Sequence, residues 1–186
     1  MTTEQERQPT LIVVTGQPGA GKTTLAHSLA RAIRCPALCR DELTEGLIHT
    51  TGIYGKPADD LGRQVYDVFF DTIALLLRQQ VTLVAEAAFQ HKLWAPKLES
   101  LLPVARVRVV VCWVEPELAR VRQVARAQSD SARASFHPSA VVEAVQEGRV
   151  LPVTHYDPPH LDVPKLIVNT TEGYLPDLAS IVAFAS

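Results

Sequence analysis

Cysteine is scarce in this chain, with only Cys35, Cys39 and Cys112. An odd, sparse set excludes a disulfide framework. Cys35 and Cys39 lie four apart, but no second Cys or His pair completes a zinc site, so all three read as small buried hydrophobes with reduced thiols. Long apolar runs are also missing: the first, Leu11 to Val14, is far too short to cross a bilayer. The opening Met1 to Pro9 is polar and partly acidic, unlike a signal peptide, and the expected location is the cytoplasm. No internal repeat or low-complexity segment interrupts the chain. The formal net charge of −2 gives no bulk attraction to nucleic acid or an anionic membrane. An Asn-Lys-x-Asp guanine reader is absent, and so is the Leu-Ser-Gly-Gly-Gln-like signature of a transporter ATPase.

What is present is a chain of 186 residues, 47% hydrophobic and 20% charged, enough for one substantial core. We expect a single domain over residues 1–186. Short apolar runs alternate with helical patterns. Leu11 to Val14 suits a strand buried on both faces, and Lys22 to Ile33 a helix with Leu25, Ala26, Leu29, Ala30 and Ile33 on one side. Cys35 to Cys39 is a weak second strand, with Asp41 where a helix can begin, and 50–57 a loop. A long helix is expected from Asp59 to Gln80, a third strand from Val81 to Ala85 and a helix from His91 to Leu102. The fourth strand is Val104 to Val114, and Glu115-Pro116-Glu117 starts the next helix. Residues 138–148 read as a further helix, Leu151 to Pro164 as irregular, Leu166 to Val168 as the fifth strand and Leu175 to Phe184 as the closing helix. This alternation predicts an α/β fold with a parallel sheet and helices on both faces, where ligands sit beyond the carboxyl ends of the strands.

Gly16-Gln17-Pro18-Gly19-Ala20-Gly21-Lys22-Thr23 matches G-x-x-x-x-G-K-[ST] without a gap. Glycines let successive N–H groups curl inward around phosphate oxygens, and the following helix brings its positive end to the same place. Lys22 is expected to reach the β- and γ-phosphates of a nucleotide, and the Thr23 hydroxyl to bind Mg²⁺. A chance match arises in under ~1% of chains this long, given a glycine frequency of about 7%. The strand before and amphipathic helix after add the context that the motif requires.

Three further features follow predicted strands. Asp41 fits two roles, a base that takes the acceptor's hydroxyl proton or a helix N-cap. Glu86 ends the third strand, where a carboxylate faces the crevice and can hold a Mg²⁺-bound water or orient an acceptor. Arg122 and Arg126 share a helix face and Arg133 follows, so they can neutralise charge on a moving phosphoryl group. His49, Tyr54, Tyr66, Phe69, Phe89 and Trp94 are available to an acceptor pocket built from 43–70 and 87–94, although core is the expected place of Tyr66 and Phe69.

Read in order, Gly16 to Thr24, Cys39-Arg40-Asp41-Glu42-Leu43, Val84 to Phe89, the Arg122/Arg126/Arg133 region with His137-Pro138, and Leu161 to Thr171 give the chain its resemblance. It resembles the small P-loop kinases of the AAA-33 type, a group similar to chloramphenicol phosphotransferase, zeta-toxin kinases and the kinase domain of polynucleotide kinase. The resemblance implies a P-loop NTPase fold with a five-stranded parallel sheet, ATP and Mg²⁺, and γ-phosphoryl transfer to a hydroxyl. It implies Asp41 as general base, catalytic roles for Lys22, Arg126 and Arg133, and a lid over about 120–138. Nucleotide contacts would come from Gly16 to Thr24, Arg122 and Thr171, with Thr23 on the metal and Glu86 on it through water. Related lids often carry an arginine just before the His-Pro pair; Phe136 holds that place here, leaving open which arginine meets the γ-phosphate. The expected partner is a small hydroxyl compound such as an antibiotic, nucleoside or sugar. Residues 41–70 hold only Lys56 and Arg63 against six acids, which disfavours a nucleic acid acceptor. An ATP-dependent switch is the competing class.

Overall fold

The computed structural model describes residues 8–52, 58–129, 147 and 156–186. The loop residues Tyr54 and Lys56, the lid residues Arg133, Phe136, His137 and Pro138, and most of the helix expected at 138–148 lie outside the described residues. In chain order the elements are β1 (Thr10–Gly16), α1 (Lys22–Ile33), β2 (Ala37–Cys39), α2 (Arg40–Thr51), α3 (Ala58–Arg78), β3 (Leu83–Glu86), α4 (His91–Glu99), β4 (Arg106–Trp113), α5 (Pro116–Ser129), β5 (Lys165–Asn169) and α6 (Leu178–Ala185). The five strands form one parallel sheet in the order β2-β3-β1-β4-β5. This is the expected α/β, P-loop NTPase architecture.

β1 is a continuous apolar run because helices cover both its faces. Leu11 and Val13 point to one side, with Leu83, Ala85, Val107 and Val109 of the neighbouring strands, and meet Phe69, Ile73 and Leu77 of α3 and Trp94 and Leu98 of α4. Ile12 and Val14 point to the other, with Val84, Val110 and Cys112, and meet Leu25, Ala26 and Leu29 of α1, Ala119 of α5 and Ile181 of α6. Alternation along each strand thus builds two half-cores with one sheet between them.

Several boundaries differ from the sequence reading for identifiable reasons. β2 begins at Ala37 rather than Cys35 and ends at Cys39 as expected, paired with Glu86, and α2 begins at Arg40, one residue before Asp41. Cys39 is therefore the N-cap and makes no side-chain cap hydrogen bond, while Asp41 lies in the first turn; the N-cap reading of Asp41 is corrected. The closing helix begins at Leu178 rather than Leu175. Leu175 exchanges backbone hydrogen bonds with Asn169, Pro176 has no N–H, and Asp177 caps the helix by accepting from the Ser180 N–H. α2 runs on to Thr51, two residues into the segment expected as loop, and stops at Gly52 in a left-handed conformation. Among the described residues no helix is long and apolar enough to cross a membrane.

Phe69 is fully buried against Phe70, Phe89 and Trp94. Truncation there leaves a cavity, so Phe69→Ala should cost about 3–5 kcal/mol in urea unfolding. A loss under ~1 kcal/mol would contradict its place in the core.

Candidate functional site

The loop between β1 and α1 is pressed against backbone on two sides. Gly16 has φ 147°, and a Cβ there would stand 2.4 Å from the Cys112 carbonyl oxygen. Gly19 has φ 82°, and its Cβ would stand 2.3 Å from the Ala119 carbonyl oxygen. Neither position accepts a side chain without moving backbone, which is the physical reason for glycine at both. Three side-chain hydrogen bonds tie the loop to its surroundings, one from the loop itself and two from outside. Gln17 Nε2 donates to the Val114 carbonyl at 2.8 Å, Gln123 Nε2 to the Pro18 carbonyl at 3.0 Å, and Thr170 Oγ1 to the Ala20 carbonyl at 2.9 Å. Gly21 then turns into α1, whose first residues are Lys22 and Thr23; the exposed Thr24 follows.

Lys22 Nζ donates to the Gln17 carbonyl at 3.2 Å and stands 3.9 Å from Glu86 Oε1. Thr23 Oγ1 donates to Glu86 Oε2 at 3.0 Å. Glu86 is only 4% exposed, at the end of β3 beside Val14 of β1 and Cys39 of β2. Burial pushes its carboxyl above the ordinary range; Lys22 and Thr23 pull it down and Asp41 and Glu42 push it up. Burial wins even with an ammonium 3.9 Å away. That Asp41 is felt at Glu86 follows from the register: it stands two residues beyond Cys39, Glu86's partner across the ladder. Cys112 stays a thiol at neutral pH, pushed up to about 12 chiefly by burial. The hydroxyl of Thr23 and the buried carboxylate of Glu86 are hard oxygen donors, the kind that suit Mg²⁺.

The arginines expected on a lid are split. Arg122 donates one terminal nitrogen to the carbonyls of Thr170 and Thr171, at 3.1 and 2.9 Å, and the Thr171 N–H binds Asn169 Oδ1 at 2.8 Å. Arg122 and Thr171 are therefore brought together at the end of β5, and Thr170 links them to the loop. Arg126 is exposed one turn further along α5, and Arg133 lies outside the described residues.

Sequence reasoning missed the bracing roles of the Gln17, Gln123 and Thr170 side chains and of Tyr156. The Tyr156 hydroxyl is hydrogen-bonded to Thr15 at the end of β1 and donates to the Phe89 carbonyl, and nothing in its proline-rich surroundings signals this. It also passed over Arg40. That guanidinium lies 5.9 Å from the Trp94 ring centroid, and its buried Nε has no hydrogen-bond partner among the described residues. Its position directly before Asp41 was the available signal. Phe69 and Phe89 are fully buried and Trp94 nearly so, which leaves them to the core rather than to a ligand surface.

A parallel sheet carrying this loop between its central strand and the first helix defines a P-loop NTPase of kinase-like fold. The chain belongs to the AAA_33 family, described as an AAA domain, whose model matches residues 11–152. Among solved structures it is similar to a protein from Chloroflexus aurantiacus j-10-fl taken to be a kinase, with 25% identity, TM-score 0.77, and 95% of this chain and 96% of that one covered. It is also similar in fold to a gluconokinase from Sinorhizobium meliloti 1021, with 21% identity, TM-score 0.54, and 97% and 91% covered. A chain of the Pnkp1/Rnl/Hen1 RNA repair complex shares the fold at 16% identity and TM-score 0.54, over 83% of this chain and 51% of that one. No curated protein matches the sequence.

An acid that binds its proton more tightly in the folded state costs stability when ionised, and the cost disappears as pH falls through the ordinary carboxylate range. Glu86→Gln, which keeps an acceptor for Thr23, should therefore be at least as stable as the parent at pH 8, with the difference shrinking toward pH ~4 in thermal melts. A variant clearly less stable at pH 8 would contradict the dominance of burial.

Proposed function

We propose that the protein is a kinase that uses ATP and Mg²⁺ to phosphorylate a hydroxyl group on a small polar molecule, the whole chain acting as one unit. The observation that carries this reading is the convergence of Lys22, Thr23 and Glu86 at the start of α1, with Asp41 in the adjoining first turn of α2. The loop amides and the positive end of α1 hold the phosphates, and Lys22 swings from the Gln17 carbonyl to the β- and γ-groups. Thr23 and, through water, Glu86 would hold Mg²⁺, which would supply positive charge to offset that of the triphosphate. Asp41 takes the proton of the acceptor hydroxyl as its oxygen bonds to the γ-phosphorus and the bond to the ADP oxygen breaks. Arg122 and Thr171 border the nucleotide, and Arg126 and Arg133 on a lid over about 120–138 meet the charge on the transferring group.

The acceptor is read by polar groups. Of the aromatics available to an acceptor pocket, Phe89 joins Phe69 in the core, whereas Arg40, next to Asp41 in sequence, keeps a donor with no partner among the described residues. An oxygen-rich acceptor of the sugar or sugar-acid kind satisfies that donor better than an apolar ring. Two fold neighbours carry such names, a gluconokinase and a sugar kinase. The free thiols of Cys35, Cys39 and Cys112 suit the reducing cytoplasm.

Lys22→Ala should abolish phosphoryl transfer while circular dichroism and melting stay close to the parent; full activity in a folded variant would end the kinase reading. Asp41→Asn should lower kcat by about 10²–10⁴-fold with little change in the KM for ATP, and an unchanged kcat would remove Asp41 as base. ADP release should rise on addition of sugars, polyols or sugar acids. Stimulation by a 5′-hydroxyl oligonucleotide alone would replace the small acceptor with a nucleic acid, and turnover that no compound stimulates would favour an ATP-dependent switch.

A further inference from the structure

The spacing of the cysteines offers no metal site, yet the fold brings donors to Cys39 from two other elements. β2 ends beside α1, where His27 stands one turn after Thr23, and α2 carries Glu42 into the same gap. His27 Nε2 is 3.7 Å from Cys39 Sγ and 2.7 Å from Glu42 Oε1. One donor atom from each of the three lies within 4.8 Å of the others, and among the described residues no other such group of three occurs. Cys39 is buried, His27 half-buried and Glu42 exposed, so the donors form a wall with one open side. We infer that His27, Cys39 and Glu42 form a binding site for a divalent transition metal of the zinc class, with three protein ligands and a fourth position left to water.

The donor chemistry selects the class. Thiolate, imidazole and carboxylate together suit Zn²⁺ or Co²⁺, whereas Mg²⁺ requires oxygen ligands in an octahedron. A tetrahedral ion with Zn–S of about 2.3 Å and Zn–N of about 2.0–2.1 Å sets sulfur and nitrogen about 3.5 Å apart, close to the separation already present. The 2.7 Å His27–Glu42 hydrogen bond must lengthen by roughly 0.6–0.8 Å, which an exposed glutamate achieves by changing rotamer. Charge points the same way. The carboxyl groups of Glu86, Glu42 and Asp41 act on the Cys39 sulfur, and acids so placed favour a dication beside it. Bound metal would clamp α1, which begins with Lys22 and Thr23, to the turn of α2 that carries Asp41. The inference stands on these distances and not on the kinase reading.

The test is a Co²⁺ titration of the full chain under reducing conditions with excess Mg²⁺ to occupy oxygen sites. The parent should develop a thiolate-to-cobalt charge-transfer band in the near ultraviolet, with Kd in the micromolar range or below, and one equivalent of Zn²⁺ should erase it. Cys39→Ser should abolish the band, Cys35→Ser should keep it, and His27→Gln and Glu42→Gln should each weaken binding by about tenfold or more. Glu42 is exposed, so its variant keeps the test decisive if Cys39→Ser fails to fold. No band in the parent, a band that survives in folded Cys39→Ser, or unchanged affinity in both His27→Gln and Glu42→Gln would overturn the site.

Discussion

The whole arrangement depends on how closely the Gly16–Thr23 loop lies on the carbonyl oxygens of Cys112 in β4 and Ala119 in the first turn of α5. At Gly16 and Gly19 the neighbouring carbonyl oxygens stand where a side chain would begin. That confinement fixes the direction in which α1 leaves the sheet, and so fixes where Lys22 and Thr23 point. Gln17 reaches out of the loop to the Val114 carbonyl, and Gln123 of α5 and Thr170 after β5 reach into it. The loop is thus shaped before any ligand arrives, and an anion there meets amides that are already oriented.

Parallel register then delivers the acids. Val14 pairs with Glu86, and Glu86 with Cys39, so the ends of β1, β3 and β2 lie in a row. The loop follows the first of these, the buried carboxyl ends the second, and Asp41 follows the third. No long-range side-chain contact is needed to assemble them, because three adjacent strands ending at one level suffice. The cost is a carboxylate in a dry place, which Lys22 and Thr23 only partly offset.

Most of this was legible in the amino-acid sequence, for physical reasons. A loop whose glycines are sterically required has a rigid spelling, and Lys22 to Ile33 carries its burial stripe at helical period, so α1 was placed to the residue. The strands were found where apolar runs are buried on both faces, with errors of a few residues at their ends. Those errors came where tertiary pairing overrides local pattern: the ladders that carry β3 on to Glu86, and the bridge between Asn169 and Leu175 that delays α6. The bracing side chains were invisible because a glutamine or threonine acquires its role from a partner about 100 to 150 residues away. The proximity of His27 to Cys39 was hidden for the same reason, since it exists only once β2 lies beside α1.

The measurement nearest the central claim is a crystal structure of the protein with Mg²⁺ and a non-hydrolysable ATP analogue. The account predicts the triphosphate along the Gly16–Thr23 amides, with Lys22 at the β- and γ-phosphates and the metal on the Thr23 hydroxyl. Nucleotide bound elsewhere, or a loop left empty at saturating analogue, would contradict it.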